Sequence, residues 1–312
     1  YQVSRPYRGW QQPVLVDIPP GTSTRAIAAQ LQGAGALRRQ WPFLLLHYLL
    51  PGASLKAGEY YFDCPMSPRE ILHKLRRGDV YYYTVTIPEG FNVFEVAEAL
   101  ASTGLVSHDQ TQQALARTDL IADLDPGASS LEGYLFPDTY LFVRRTTAGE
   151  MVAAMVARFR RVYRELEERH KPRRPVHEIV TLASLVEEET GIGEERPLVA
   201  SVFYNRWQAG MPLQCDPTVT YAALLGGRYR GAIYRGDLAY HSPYNTYLRR
   251  GLPPGPIANP GRASLEAAMA PAATNYRYFV SDGRNGHRFS ATLAEHSRAV
   301  AQYRRSANSV RR

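Results

Sequence analysis

The sequence predicts an α+β chain: small α/β modules at the N-terminus, then a mainly helical domain with a late β-hairpin. Three observations predict it. A strand, turn and helix pattern occurs twice in the first third of the chain. Helical periodicity dominates from about Ala148 onward. Near the end, Asp282-Gly283 and Asn285-Gly286 separate two short β-prone runs.

The repeat comes first. Val14-Leu15-Val16 reads as a strand, Pro19-Pro20-Gly21 as a turn, and Ile27, Ala28 and Leu31 as the apolar face of a helix that stops at Gly35. Tyr82 to Thr86, then Pro88-Glu89-Gly90, then Val96, Ala97 and Leu100, then Gly104, repeat the order. Between them, Tyr60-Tyr61-Phe62 supplies another strand, and Ser67 is placed to cap a helix. Trp41 to Leu50 is the most apolar run. It is about half the length that spans a bilayer and contains His47, so we expect a buried core helix. Residues 106–130 are mostly polar with short helical stretches.

Helices are expected over Ala148 to Arg169, ended by Arg173 to Pro175, and over His177 to Thr190. Another starts near Pro197 and stops at Gly210, and a third follows Pro217. Leu252-Pro253-Pro254-Gly255-Pro256 must be an ordered loop, because no helix tolerates it. Tyr276 to Val280 and His287 to Ser290 form the hairpin. Thr292 with Glu295 makes a capping box for a last helix.

At 312 residues the chain suits two or three domains with a sizeable core. A formal charge of +8 favours anionic partners in general. The densest basic run, Arg160 to Arg174, is interleaved with Glu165, Glu167 and Glu168, which reads as a solvated helix face, so no nucleic acid is expected. Cys64 and Cys215 are too few for a disulfide scaffold. No GxGxxG, Walker A, HExxH or GxSxG is present, and the histidines lack metal-ligand spacing, so neither cofactor nor metal is expected.

Glu187-Glu188-Glu189 carries the sharpest chemical signal. Ile179, Leu182, Ala183, Leu185 and Val186 define one helix face at about 100° per residue. Glu188 falls opposite it and Glu187 at its margin, as acidic triplets in solvent do. Glu189 falls inside the stripe. A carboxyl group on an apolar face is desolvated, which raises its pKa toward the range of a general acid. The bland alternative is a buried acid satisfied by an arginine such as Arg206. Downstream lie Asn205, Gln214, Asp216, Thr218, Tyr221, Tyr244, Asn245, Thr246 and Tyr247. Amides and rings together suit a sugar, with hydrogen bonds to hydroxyls and stacking on pyranose faces.

Leu182 to Thr190, Val199 to Arg206, Gln214 to Val219, Tyr244 to Tyr247, Gly251 to Gly261 and Leu131 to Tyr140 together resemble the YceG-like (MltG) family of endolytic murein (peptidoglycan) lytic transglycosylases. The resemblance covers essentially the whole chain, in order. It implies a catalytic glutamate at the second Glu of a Glu-x-Glu-Thr motif, here Glu189. It also implies a LysM-like glycan-binding portion, fitted by the unit from about residue 84. The division is then 1–83 for an N-terminal α+β module, 84–130 for the LysM-like subdomain and 131–312 for the catalytic domain.

Peptidoglycan glycan strands are the implied substrate, and the synthases that make new strands are implied partners. A single N-terminal anchor in the cytoplasmic membrane, absent from this chain, would leave these domains facing the periplasm or wall. Two departures from the family pattern are Cys215, where Thr is common, and Glu188, where a basic residue is common. Two rivals stand beside this reading: a two-carboxylate hydrolase using Glu189 and Asp216, and a non-catalytic wall-binding scaffold.

Overall fold

Alternating apolar residues in Val14–Ile18 (β1) and Gly58–Phe62 (β2) bring the two strands together as an antiparallel pair, with Val16 opposite Tyr60. The structure, a computed structural model, describes residues 3–50, 52–284 and 286–310, with the side chains of 306–310 excepted. Thr24–Gly33 (α1), Trp41–Leu49 (α2) and Pro68–Arg77 (α3) close over the pair. Their shared core holds Ile18, Leu31, Phe43, Tyr60, Phe62 and Leu72. Ser67 caps α3 reciprocally with Glu70, and Gly78 stops it at φ 79°.

α2 corrects the expectation of a buried core helix. Only Pro42 and Phe43 are buried on it, while Trp41, Leu45, Tyr48 and Leu49 are exposed. α1 and α3 cover one side of a nine-residue helix, and the other side is exposed among the described residues.

Tyr83–Thr86 (β3) and Thr139–Phe142 (β4) pair as a second two-stranded sheet. The chain divides into two compact units: Tyr1–Val85 with Tyr140–Thr147, and Thr86–Thr139 with Ala148–Arg312. In the first unit, Arg144 pairs with Glu59 at 3.3 Å and Arg145 with Asp17 at 2.9 Å, while the Tyr83 hydroxyl donates to Glu59.

The second unit is a mixed helix and hairpin body. It contains Val93–Ala101 (α4), His108–Leu115 (α5), Ala148–His170 (α6), Val176–Glu189 (α7), Arg196–Gln208 (α8), Asp216–Leu225 (α9) and Arg262–Met269 (α10). Tyr278–Ser281 (β5) and His287–Ser290 (β6) form the antiparallel hairpin, and Leu293–Val310 (α11) follows. Thr292 and Glu295 make the reciprocal cap of α11. Of the hairpin's turn residues, Asn285 lies outside the described residues. Both strand–turn–helix units form as read, with Gly21 and Gly90 at φ near +80° in their turns.

α7 is the centre of this unit, with every residue from Ile179 to Val186 buried. The proline-rich loop packs against it. Ile257 N donates to Ser184 Oγ at 3.1 Å, and His177 Nε2 meets Pro254 O at 2.9 Å. Gly133, at φ 86°, admits Pro256 and Val180 so closely that a Cβ would sit within 2.7 Å of both. Beside it, buried Glu132 accepts from Val93 N, Tyr221 Oη and Asn259 Nδ2 at 3.0, 2.8 and 3.2 Å. One carboxyl group thus ties the start of α4, helix α9 and the loop before α10.

Candidate active site

The apolar stripe of α7 ends at Glu189, the last residue of the helix. Its neighbours on the stripe, Leu182, Leu185 and Val186, are fully buried. Glu189 opens on a cleft of about 280 Å³. Phe203 and Arg206 of α8 form one wall, Gln214 and Asp216 another, and Tyr247, Tyr278, Phe279 and His296 complete it.

Desolvation raises the pKa of Glu189. The Cys215 thiol lies against its carboxyl group and opposes the rise, Asp216 adds to it, and His287 and Arg206 oppose it weakly. Its position acts in the same direction as burial: the C-terminal end of a helix carries partial negative charge and disfavours a carboxylate. Arg206 is not the counter-ion. Its guanidinium donates to Leu213 O and, at 2.9 Å, to Gln214 Oε1, and it stands 5.4 Å from the Tyr278 ring centre. His287 is likewise held by Glu195, at 2.7 Å.

The three consecutive glutamates have three different environments. The Glu187 side chain is buried, bonded to Arg196 at 2.9 Å and to Gly261 N at 2.8 Å, which departs from the expected solvent margin. Glu188 is exposed. Only Glu189 faces the cleft with its nearest cation already engaged.

Gln214, Asp216 and Tyr247 line the cleft with Glu189. Gln214 sits at φ 55°, a left-handed conformation uncommon for a side-chain-bearing residue, and its N–H donates to Thr246 O at 3.2 Å. The Tyr247 hydroxyl donates to Asp216.

The remaining candidates lie elsewhere. Thr218 and Thr246 are buried and bonded at 2.9 Å, and Thr246 Oγ1 also accepts from Cys215 N, which fixes the loop behind Glu189. Asn245 is buried, donating to Leu238 O and Tyr240 O. Tyr221 is bonded to Glu132 and packs on Tyr244, ring centres 5.0 Å apart. Asn205 donates to Thr274 O and Tyr276 O and lines a different pocket, of about 670 Å³, with Tyr204 and Thr274. Hydrogen bonding, the property that suggested sugar contact, here holds loops in place.

Residues 16–302 match the YceG-like family. The chain belongs to the YceG-like family. A relative from Bacillus subtilis (strain 168), named endolytic murein transglycosylase, is 36% identical over 95% of this chain and 86% of its own length. A relative of the same name from Streptococcus pneumoniae (strain D39) is 31% identical over 93% of this chain, which spans 58% of that protein. The crystal structure of a yceG-like protein from Listeria monocytogenes superposes with a TM-score of 0.60, at 30% identity, over 93% of this chain and 99% of that one.

In this YceG-like chain several cleft residues escape a reading of the sequence. Phe203 and Arg206 are three apart on α8, so helical spacing places them on one face. Tyr278, Phe279 and His296 reach the cleft only through the fold. His296 stacks on Tyr278 at 5.2 Å, and desolvation lowers its pKa. His296 Nδ1 and Arg206 Nε are buried without hydrogen-bond partners, donor or acceptor capacity set beside the cleft. Among the described residues no group of His, Cys, Asp and Glu converges as a metal site.

Proposed function

We propose that this chain is an endolytic lytic transglycosylase that cleaves the MurNAc-β-1,4-GlcNAc bond within peptidoglycan strands, with Glu189 as acid and then base. The observation that carries the proposal is one carboxylic acid, raised by burial and open to a cleft, on a chain whose relatives bear that activity in their names.

Glu189, whose burial favours the protonated form, gives its proton to the glycosidic oxygen as the C1–O bond breaks. The positive charge that develops at C1 is close to the carboxylate this leaves. Glu189 then takes the proton of the MurNAc C6 hydroxyl as that oxygen bonds to C1. The product is a 1,6-anhydroMurNAc end, and the enzyme returns protonated. The nucleophile belongs to the substrate, so a single carboxyl group suffices, whereas hydrolytic glycosidases typically need two. Gln214, Arg206 and His296 offer polar contacts along the cleft, and Tyr247 and Tyr278 offer rings.

Asp216 favours a second reading, a hydrolase with two carboxylates, because it lines the same cleft. Its Oδ1 is already occupied by the Tyr247 hydroxyl, which suits a loop-ordering or substrate-contacting role better. Mass spectrometry of muropeptides after incubation with uncrosslinked strands separates the two. Anhydro ends on internal fragments support the transglycosylase, and reducing MurNAc ends support the hydrolase. Glu189→Gln should lower the rate by on the order of 10³-fold or more while strand binding persists. Cleavage by that variant at the wild-type rate would remove Glu189 from the mechanism.

The finer placement belongs to the same proposal. Residues 84–130 act as the LysM-like glycan contact. The chain works at the cell wall, held at the cytoplasmic membrane beside the synthases that make its substrate. Among the described residues no helix is long and apolar enough to cross a membrane. Pull-down of wall-synthesis proteins with this chain tests the partnership, and their absence counts against it.

A further inference from the structure

The exposed side of α2 combines two features that recur at lipid–water interfaces. Trp41, Leu45, Tyr48 and Leu49 are 48, 43, 69 and 67% exposed. At helical spacing they fall within an arc of about 100°, one continuous stripe. Phe43, on the other side, is fully buried in the core of this unit, so the stripe is presented by a helix already folded and fixed. The second feature is charge. A pocket of about 190 Å³ opens at the start of α2, reaching Pro42, and Arg8, Arg38 and Arg39 are among the residues that line it. Arg38 and Arg39 are exposed and form no ion pair among the described residues.

We propose that α2 and this arginine cluster dock on a bilayer surface that carries anionic phospholipid headgroups. Trp and Tyr favour the headgroup level, where a ring is apolar on its faces and polar at its tip. Leu45 and Leu49 enter the acyl boundary between them. The guanidinium groups match headgroup phosphates, with which they form paired hydrogen bonds. A second copy of the chain fits this surface less well. Parallel two-fold pairing through the stripe would bring Arg38 and Arg39 of the two copies together. The inference does not depend on Glu189 or on the cleavage reaction, and its test does not measure cleavage.

The test is co-sedimentation of the whole chain with vesicles of phosphatidylcholine and phosphatidylglycerol in equal parts, beside vesicles of phosphatidylcholine alone. Binding to the mixed vesicles, weakened by salt, is expected. Arg38→Ser with Arg39→Ser should lose on the order of 30-fold in affinity. Leu45→Ser with Leu49→Ser should lose about tenfold or more. Both pairs are exposed, so thermal melting should match wild type. Arg304→Ser with Arg305→Ser removes the same charge from α11 and should leave binding unchanged. Absence of binding, or equal loss in all three double variants, would overturn the proposal. So would sedimentation equilibrium revealing a dimer that Leu45→Ser with Leu49→Ser dissociates, since the stripe would then belong to a second copy.

Discussion

At Glu189 the balance between burial and one sulfur contact sets the chemistry. The Cys215 thiol is a weak donor, and it alone among the uncharged neighbours favours the carboxylate. Cys215→Val removes that donor, so the pKa of Glu189 rises further. The acid form, needed for the first step, then persists to higher pH, and the alkaline limb of kcat/KM moves up. Cys215→Thr installs a stronger donor, so the limb moves down. The two variants should move the limb in opposite directions. A pH–rate profile on defined strands checks both directions, and limbs that stay in place would detach the thiol from Glu189. The position of Glu189 was legible because helical periodicity is a local property. The stripe that selected it is fully buried. Sequence alone does not separate Gln214, Asp216 and Tyr247, which line this cleft, from Asn205, Thr218, Tyr221, Asn245 and Thr246, which are not among its lining residues. A polar side chain that binds a carbonyl of its own fold has the same composition as one that binds a sugar.

Elements in the second unit are joined through buried polar groups, and Glu132 is one of them. Burial pushes its pKa up to about 8. The folded state therefore holds a proton that the unfolded chain has released between the usual carboxylate range and pH 8. Stability falls as pH rises across that window, and the loss is complete above it. Glu132→Gln has no proton to release, so its melting curve should be flatter over the same window. The difference should amount to several degrees between pH 5 and 8, each kcal/mol being worth roughly 2–4 °C in a domain of this size. Calorimetry at the two pH values checks it. Parallel pH dependence in the two proteins would mean that Glu132 is not the group responsible. Such a residue cannot be singled out from sequence, because Glu132 lies in a run of turn residues and aromatics. Its donors come from positions 93, 221 and 259.

On the scale of the whole chain, the first unit is discontinuous: Tyr140–Thr147 belongs with the first 85 residues. The sequence division at residue 83 falls inside β3 and does not include that return segment. A fragment beginning at Thr86 would leave Arg144 without Glu59 and Arg145 without Asp17, and would strip β4 of most of its partner strand. We expect such a fragment to melt lower than the same unit in the intact chain and to aggregate at lower concentration, as unpaired strand edges do. Thermal scanning with light scattering checks this, and unchanged melting would show that the second unit does not need the segment.

The α+β class, the two strand–turn–helix units, the caps at Ser67 and Thr292, the hairpin and the placement of Glu189 on an apolar face were all readable from residue order. These depend on spacing within a few residues, where backbone geometry is nearly fixed by residue type. The walls that Glu189 faces come from the fold. Tyr278, Phe279 and His296 arrive from about 90 to 107 residues away along the chain. It also decided that α2, the most apolar run, keeps one side in solvent. Hydropathy records a preference for burial, and burial requires a neighbour that only the fold can supply.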